Sequence, residues 1–248
     1  MKIVVIGGTG LIGSKLVVKL NEHGHEAVAA SPNTGVNTLT GEGLAEVLKG
    51  ASVVVDVSNS PSFEDKPVMD FFRTSTTNLL KAEIEAGVTH HVALFVVGTQ
   101  RLQASGYFRA KQVQEELIRE SGIPYSIVHA TQFFEFVSAI ADLSTEGDTV
   151  RAAPVKFRPI HSDDVAAAVG RTAVGTPVNG VVEIAGPDLF QLDELLREVL
   201  AARNDPRTVV TDPHAPYSGS ELRDTTLVPG PDTHPGETHF ADWVARQQ

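Results

Sequence analysis

The feature that most constrains this chain is its first seam, where Met1-Lys2-Ile3-Val4-Val5-Ile6 runs directly into Gly7-Gly8-Thr9-Gly10-Leu11-Ile12-Gly13. The unbroken apolar run Ile3 to Ile6 predicts a strand buried on both faces, as in parallel sheets. After the glycines, Leu11, Ile12, Leu16, Val17 and Leu20 recur at helical spacing, with Lys15, Lys19 and Asn21 on the other face. Strand, glycine turn and helix in that order make a phosphate site. The helix presents free N–H groups and its positive end to the turn, and glycines there let a pyrophosphate approach the backbone.

Gly24 is followed by Glu26-Ala27-Val28-Ala29-Ala30, which reads as a second parallel strand and completes a βαβ unit. That context turns a glycine triplet into a dinucleotide site. Gly7, Gly10 and Gly13 are expected to hold the pyrophosphate, with Thr9, Leu11 and Ile12 of the same turn against the cofactor. Two residues separate successive glycines, a spacing that resembles the extended and atypical branches of the short-chain dehydrogenase/reductase superfamily.

The end of the second strand chooses between cofactors, because an acid there binds the adenosine ribose hydroxyl and repels a 2′-phosphate. Here the chain reads Ala30-Ser31-Pro32-Asn33-Thr34, without a carboxylate or an arginine. Ser31, Asn33 and Thr34 can donate hydrogen bonds to a phosphate, which favours NADP(H) over NAD(H). The other reading of the segment is a plain polar turn.

Composition removes several classes. With no cysteine, the chain has no disulfide, thiolate metal site or cysteine nucleophile. A net charge of −11 without Lys/Arg clusters argues against a nucleic-acid partner. No apolar run reaches membrane-spanning length, and Met1 leads straight into the first core strand, so neither leader nor membrane span is expected and the location is read as cytoplasmic. No histidine spacing suggests a metal. At 248 residues there is room for one domain with a large core, or one with a small appendage.

Further along, Gly35 to Leu39 reads as a short strand and Glu42 to Leu48 as a helix. Ser52 to Val57 is a buried strand closing on Ser58-Asn59-Ser60-Pro61. That loop lies at the carboxyl edge where open α/β sheets bind ligands, so Ser58 and Asn59 either contact the cofactor or form an ordinary turn. Ser62 is expected to cap a helix running to Glu85 and ending at Gly87. His90 and His91 precede the next strand, which runs on to Val97, and are expected at the surface.

Gly106 to Gly122 predicts a helix that places Tyr107 and Lys111, four apart, on one face. A phenol becomes a useful proton donor when a nearby ammonium lowers its pKa, and the same ammonium can bind the nicotinamide ribose. The surrounding text is Tyr107-Phe108-Arg109-Ala110-Lys111, Glu115-Glu116-Leu117-Ile118, Ser121-Gly122-Ile123-Pro124-Tyr125 and Gln132-Phe133. It resembles the NmrA-like atypical short-chain dehydrogenase/reductases. The resemblance implies that Lys111 contacts the cofactor and assists proton transfer, and that Tyr107 donates the proton. It also implies that the loop after Tyr125-Ser126-Ile127-Val128 passes the nicotinamide, with Thr131 at the cofactor and Phe133 and Phe136 lining an apolar substrate pocket. At least one of Phe133, Phe134 and Phe136 is expected in the core, and His129 is as readily a packed residue as a catalytic one. One departure stands out: the family's serine has no counterpart, because Phe95-Val96-Val97 fills its place and Thr99 is the nearest hydroxyl.

Beyond residue 145, Ser162 or Asp163 is expected to cap a helix whose dipole Asp164 complements. Val181 to Pro187 is a strand and turn, Leu192 to Leu200 an amphipathic helix, and Thr211 to Gly236 a set of long loops that could serve as a lid. Phe240, Trp243 and Val244 suggest a closing helix. The resulting expectation is a doubly wound, Rossmann-like α/β fold. Residues 1–150 would form the NAD(P)-binding domain, and 151–248 an interleaved C-terminal part with the substrate pocket. The function implied is an NAD(P)H-dependent oxidoreductase reducing a small carbonyl, quinone or enone. The alternative is a dinucleotide-sensing regulator without turnover, acting through a protein partner.

Overall fold

The computed structural model describes residues 1–247. In chain order the elements are β1 (Lys2–Ile6), α1 (Leu11–Glu22), β2 (Glu26–Ala30), α2 (Leu44–Val47), β3 (Val53–Asp56), α3 (Asp65–Ala86), β4 (His90–Val96), α4 (Gly106–Glu120), β5 (Tyr125–Ala130) and α5 (Val137–Leu143). They continue as β6 (Thr145–Glu146), β7 (Thr149–Ala152), β8 (Lys156–Phe157), α6 (Ser162–Val174), β9 (Gly180–Ala185), β10 (Phe190–Gln191), α7 (Leu192–Ala202), β11 (Thr208–Thr211), β12 (His234–Pro235) and α8 (Phe240–Ala245).

Seven strands form a parallel central sheet in the order β12-β9-β5-β4-β3-β1-β2, flanked by helices. The apolar runs predicted as strands are strands because a parallel sheet is covered on both faces. Ile3, Val4, Val5, Val54 and Val55 are completely buried. The order reverses at β1, with β2 on one side and β3 on the other. Ile6 pairs with both Ala30 and Asp56, so β1, β2 and β3 end level. Gly7, Ser31 and Val57-Ser58 therefore leave the sheet along one edge at its switch point, the position where open α/β sheets take ligands.

The chain divides into two compact units, the first made of Met1–Phe95, Gly106–His129 and Val165–Val182, the second of Val96–Ser105, Ala130–Asp164 and the chain from Glu183 onward. The linear boundary expected at residue 150 falls inside the second unit. In the first unit, β1, β3 and α3 bury Val4, Ile6, Val54 and Leu79 together with Leu44 and Leu48. Leu80 of α3 joins Ile118 of α4 over Ala93, Phe95 and Ile127 of β4 and β5. In the second unit, β11-β7-β6 form a small sheet and β10 pairs with β8. The closing helix α8 forms as expected, and its Phe240 and Trp243 pack on Phe134 with ring centroids 5.0 and 5.7 Å away.

Several local expectations are corrected. Gly35 to Leu39 is not a strand: Pro32–Thr34 is a 3-10 turn, and the segment beyond it pairs only through the Asn37–Glu42 bridge. The chain turns there on Gly41 and Gly43, both at positive φ, and a Cβ at Gly43 would lie 2.3 Å from the Gly35 carbonyl oxygen. Ser62 is not the cap of α3, because Glu64 holds that position, and the Ser62 hydroxyl accepts the Glu64 N–H instead. His90 and His91 are not at the surface: both lie within β4 and are 3% and 1% exposed. Their burial is made tolerable by partners. His91 Nδ1 sits 2.9 Å from Glu83 Oε1, and His90 Nε2 sits 2.8 Å from the Ser126 hydroxyl. Asp164 lies in the first turn of α6 as expected, and its carboxylate also accepts the Glu237 and Thr238 N–H groups of the tail. Ser162 opens α6 as its first residue and donates its hydroxyl to Glu135.

Candidate functional site

The glycine seam is built residue by residue for a phosphate. Gly7 follows β1 at φ +77°, a conformation that side chains oppose, and its N–H donates to Ala30 O at 2.9 Å. A Cβ on Gly7 would stand 2.9 Å from the Ser58 backbone, so β1 and β3 can end side by side only with glycine there. A Cβ on Gly13 would meet Gly7 O at 2.2 Å and Gly8 Cα at 2.6 Å, and its absence lets α1 pack tightly on the strand turn. Gly10 differs from both. It is exposed, it caps α1 without a side chain, and a Cβ there would find only Gly7 O, at 3.3 Å. The hydrogen atom in place of that Cβ keeps the approach to the first-turn N–H groups open. Those groups have no acceptor within the helix and carry its positive end. Among the described residues the cradle fits the pyrophosphate of a dinucleotide. Thr9 and Leu11 are exposed at its rim, while Ile12 turns into the core.

At the adenosine edge, Ser31 is buried and Asn33 exposed on the 3-10 turn. Thr34 is committed to the turn itself. Its hydroxyl accepts the Ser31 N–H at 2.9 Å and donates to the Ser31 carbonyl oxygen at 3.0 Å. No carboxylate stands at the end of β2. On the neighbouring loop, the half-buried Ser58 gives its N–H to Asp56 Oδ1, and the exposed Asn59 accepts the Ser60 N–H.

Tyr107 and Lys111 share α4, as their spacing requires, but their surroundings differ. The half-buried Tyr107 ring packs against Phe63, Phe72 and Phe108, with centroids 5.5, 6.0 and 5.2 Å away. Lys111 is 3% exposed. Its ammonium donates to Leu94 O at 3.2 Å and to Gln114 Oε1 at 2.5 Å, and lies 4.0 Å from the Phe95 ring centroid. Gln114 in turn donates to Asp56 Oδ2 at 3.0 Å, so an amide bridges the ammonium and a buried carboxylate. Burial lowers the Lys111 pKa to about 8, against the opposing pull of the Asp56 and Glu115 carboxylates. On the same helix burial pushes Glu115 up, yet hydrogen bonds from His129 and Arg119 outweigh it and hold the carboxyl below its ordinary value. His129 is thereby a packed residue, its Nε2 3.1 Å from Glu115 Oε2.

The sequence reading missed Asp56 and Gln114. Both left a signal: Asp56 is the one charged residue ending an otherwise apolar strand, and Gln114 lies three after Lys111 on the same helix face.

In the second unit, Thr131 is buried and its N–H donates to Ile184 O at 3.1 Å. Phe134 is the core member of its trio, whereas Phe133 and Phe136 stack on each other at 5.6 Å with Phe136 half exposed. Thr99, the nearest hydroxyl to the missing serine, is turned back onto Val96 O at 2.7 Å. Among the described residues there is no group of three or more His, Asp or Glu placed to hold a metal, and no helix is long and apolar enough to cross a membrane.

A level strand edge at a sheet switch point, closed by a glycine cradle and a helix N-terminus, defines a dinucleotide-binding α/β protein. The chain belongs to the NAD(P)H-binding family, whose profile matches residues 7–173. It is 25% identical over 149 residues to the photosystem II assembly factor Ycf39 of Cyanophora paradoxa, covering 54% of this chain and 46% of that protein. With Ycf39 of a Synechocystis species it shares 20% identity over 185 residues, 67% of this chain and 56% of that one. The chain thus spans about half the length of these relatives. Among solved structures it is similar to MoeE5 in complex with UDP-glucose and NAD, at TM-score 0.73 and 18% identity over 100% of this chain and 97% of that one. It is also similar to an NADPH-dependent quinone oxidoreductase from Escherichia coli, at TM-score 0.71 and 18% identity over 99% of both chains. These likenesses show a shared fold.

Proposed function

We propose that this chain is an NAD(P)H-dependent oxidoreductase of the atypical, NmrA-like kind that reduces a small carbonyl, quinone or enone. The observation that carries the reading is the glycine cradle at the switch point, which fits a pyrophosphate. A dinucleotide held there supplies hydride. The chain's own part is to bind and to move a proton. Gly7, Gly10 and Gly13 admit the pyrophosphate to the N-terminus of α1. Tyr107 Oη gives its proton to the substrate oxygen as charge develops on it. The missing carboxylate at Ser31 favours NADP(H), and an NADPH-dependent quinone oxidoreductase of the same fold makes the substrate class reasonable.

A second reading, dinucleotide binding without turnover, is favoured by one observation. Lys111 is sunk into a bridge to Asp56 and would have to give up Leu94 O or Gln114 to reach a ribose. The relatives named as assembly factors belong on the same side. NADPH oxidation over a panel of quinones, enones, aldehydes and ketones separates the two. The reductase reading expects wild-type turnover and a loss of roughly 10²–10⁴-fold in Tyr107→Phe with cofactor affinity unchanged. Tight NADPH binding with no turnover on the whole panel would move the assignment to the second reading.

A further inference from the structure

Three polar side chains meet in the interior of the first unit, away from water. Asp56 of β3 and Gln114 and Lys111 of α4 are 3%, 1% and 3% exposed. The hydrogen bonds along them run in one sense. The Lys111 ammonium donates to Gln114 Oε1 at 2.5 Å, and Gln114 Nε2 donates to Asp56 Oδ2 at 3.0 Å. The other carboxylate oxygen, Oδ1, accepts the Ser58 N–H at 2.9 Å. Ser58 borders the glycine cradle, since a Cβ on Gly7 would touch its backbone. One carboxylate thus holds the edge of the cofactor site with one oxygen and, through Gln114, the helix bearing Tyr107 and Lys111 with the other.

The sense of that chain is dictated at its two ends. An ammonium has donors only, and an ionised carboxylate has acceptors only. Gln114 satisfies both neighbours in a single orientation, oxygen towards Lys111 and nitrogen towards Asp56. A neutral amide in place of Asp56 would let Gln114 reverse and turn its N–H groups onto the ammonium. Lys111 would then keep only Leu94 O, 3.2 Å away, and the rings of Phe95 and Phe72, whose centroids lie 4.0 and 4.6 Å from it. Such a setting favours the neutral amine. The charged groups that favour the ammonium are Asp56 from β3 and Glu115 on its own helix. Glu115 is itself bonded to Arg119 and to His129 of β5. The charge of Asp56 also reaches Glu83 of α3 and His91 of β4, which pair with each other.

We propose that Asp56 is a positioning residue that, acting through Gln114, holds Lys111 in place as an ammonium and ties it to the Ser58 edge of the cofactor cradle. Lys111 then acts from where it stands, without swinging out to a ribose. Phe72 packs against both partners of the pair, 6.0 Å from the Tyr107 ring and 4.6 Å from the ammonium. In these dry surroundings a fixed positive charge favours the phenolate that proton donation leaves behind. That use of the charge rests on the reductase reading above; the holding of Lys111 does not.

Lysine labelled with carbon-13 at the ε-position reports the titration of each ammonium by NMR, and the Lys111 signal is the one absent from Lys111→Met. In wild type it should titrate near pH 8. Asp56→Asn should lower its proton affinity roughly ten-fold or more, carrying the midpoint to about pH 7 or below. Gln114→Met keeps the carboxylate but removes the relay, and should lower that affinity several-fold as well. Where a substrate of the panel is turned over, the alkaline limb of the pH profile should move with the Lys111 midpoint in each variant. A Lys111 midpoint unchanged in Asp56→Asn overturns the proposal. So does a fall in Asp56→Asn with none in Gln114→Met, which would reduce the effect to bare charge acting across space. Should Asp56→Asn fail to fold, Gln114→Met decides alone. Lowered midpoints with an alkaline limb that stays put would sink the role of the charge in turnover and leave the holding of Lys111 standing. Unmoved midpoints with full turnover in both variants would do the reverse, sparing the reductase reading and removing Asp56 from it.

Discussion

The glycine seam and the helix bearing Tyr107 and Lys111 were equally prominent as patterns, yet they differ in what the fold makes of them. The seam is a backbone site. Its function lies in where atoms are missing, and Gly7, Gly10 and Gly13 leave the cradle open whatever the surrounding side chains do. The pair on α4 is a side-chain site, and there the fold has given Lys111 other work. Its ammonium is bound to Leu94 O and Gln114 and balanced by Asp56. Spacing puts two residues on one helix face; it does not decide which partner a long side chain chooses.

The largest expected effect breaks the first half of that comparison. Gly13→Val should destabilise the fold by about 4 kcal/mol or more in denaturant unfolding, since its Cβ has no room beside Gly7 O. Gly10→Ala makes the sharper contrast. Its Cβ meets only Gly7 O, at 3.3 Å, and alanine is a poorer cap than glycine, so stability should fall by about 1 kcal/mol, well short of Gly13→Val, while NADPH affinity falls roughly ten-fold or more. Equal losses of stability in both variants would show that Gly10 serves packing alone.

The second half is tested by Lys111→Met. Removing the ammonium leaves Asp56 buried with its counter-charge gone, and the expected cost is about 3 kcal/mol. Unchanged stability with lost NADPH affinity would instead return Lys111 to the cofactor.

A smaller effect comes from His90, whose pKa burial lowers from 6.5 to about 4, aided by His91. The folded value lies below the unfolded one, so the unfolded chain binds the extra proton. Stability is present above pH 6.5 and drains away as pH falls from 6.5 towards 4, with His90 contributing a slope near 1.4 kcal/mol per pH unit. His90→Gln should flatten the stability profile in that window, and an unaltered slope would contradict the assignment.

How much of this was legible in the sequence follows the same division. Six of the seven strands of the central sheet, and α1, are legible because continuous burial and helical spacing leave few alternatives; β12 is not, since His234–Pro235 lies in the stretch read as long loops and pairs with β9 over two residues. Glu26–Ala30 forms a strand over the expected residues. Gly35 to Leu39 carries the β-branched Val36 and Thr38 of a strand, whereas glycines at positive φ control its path. His90 and His91 read as surface residues because a sequence does not show Glu83 and Ser126 arriving from elsewhere to pair with one ring nitrogen of each. The Asp56–Gln114–Lys111 bridge was hidden for the same reason, since its members are 58 and 3 residues apart.

The smallest effect concerns cofactor choice. Ser31→Asp would place a carboxylate at the end of β2 and should weaken NADPH binding several-fold through like-charge repulsion while sparing NADH. Wild-type protein that prefers NADH would reverse the reading of that edge.

The most direct test of the whole account is a calorimetric titration of the wild-type protein with NADPH and with NADH. The account predicts one site per chain with micromolar affinity for NADPH and weaker binding of NADH. Failure of either dinucleotide to bind below millimolar concentration would contradict it.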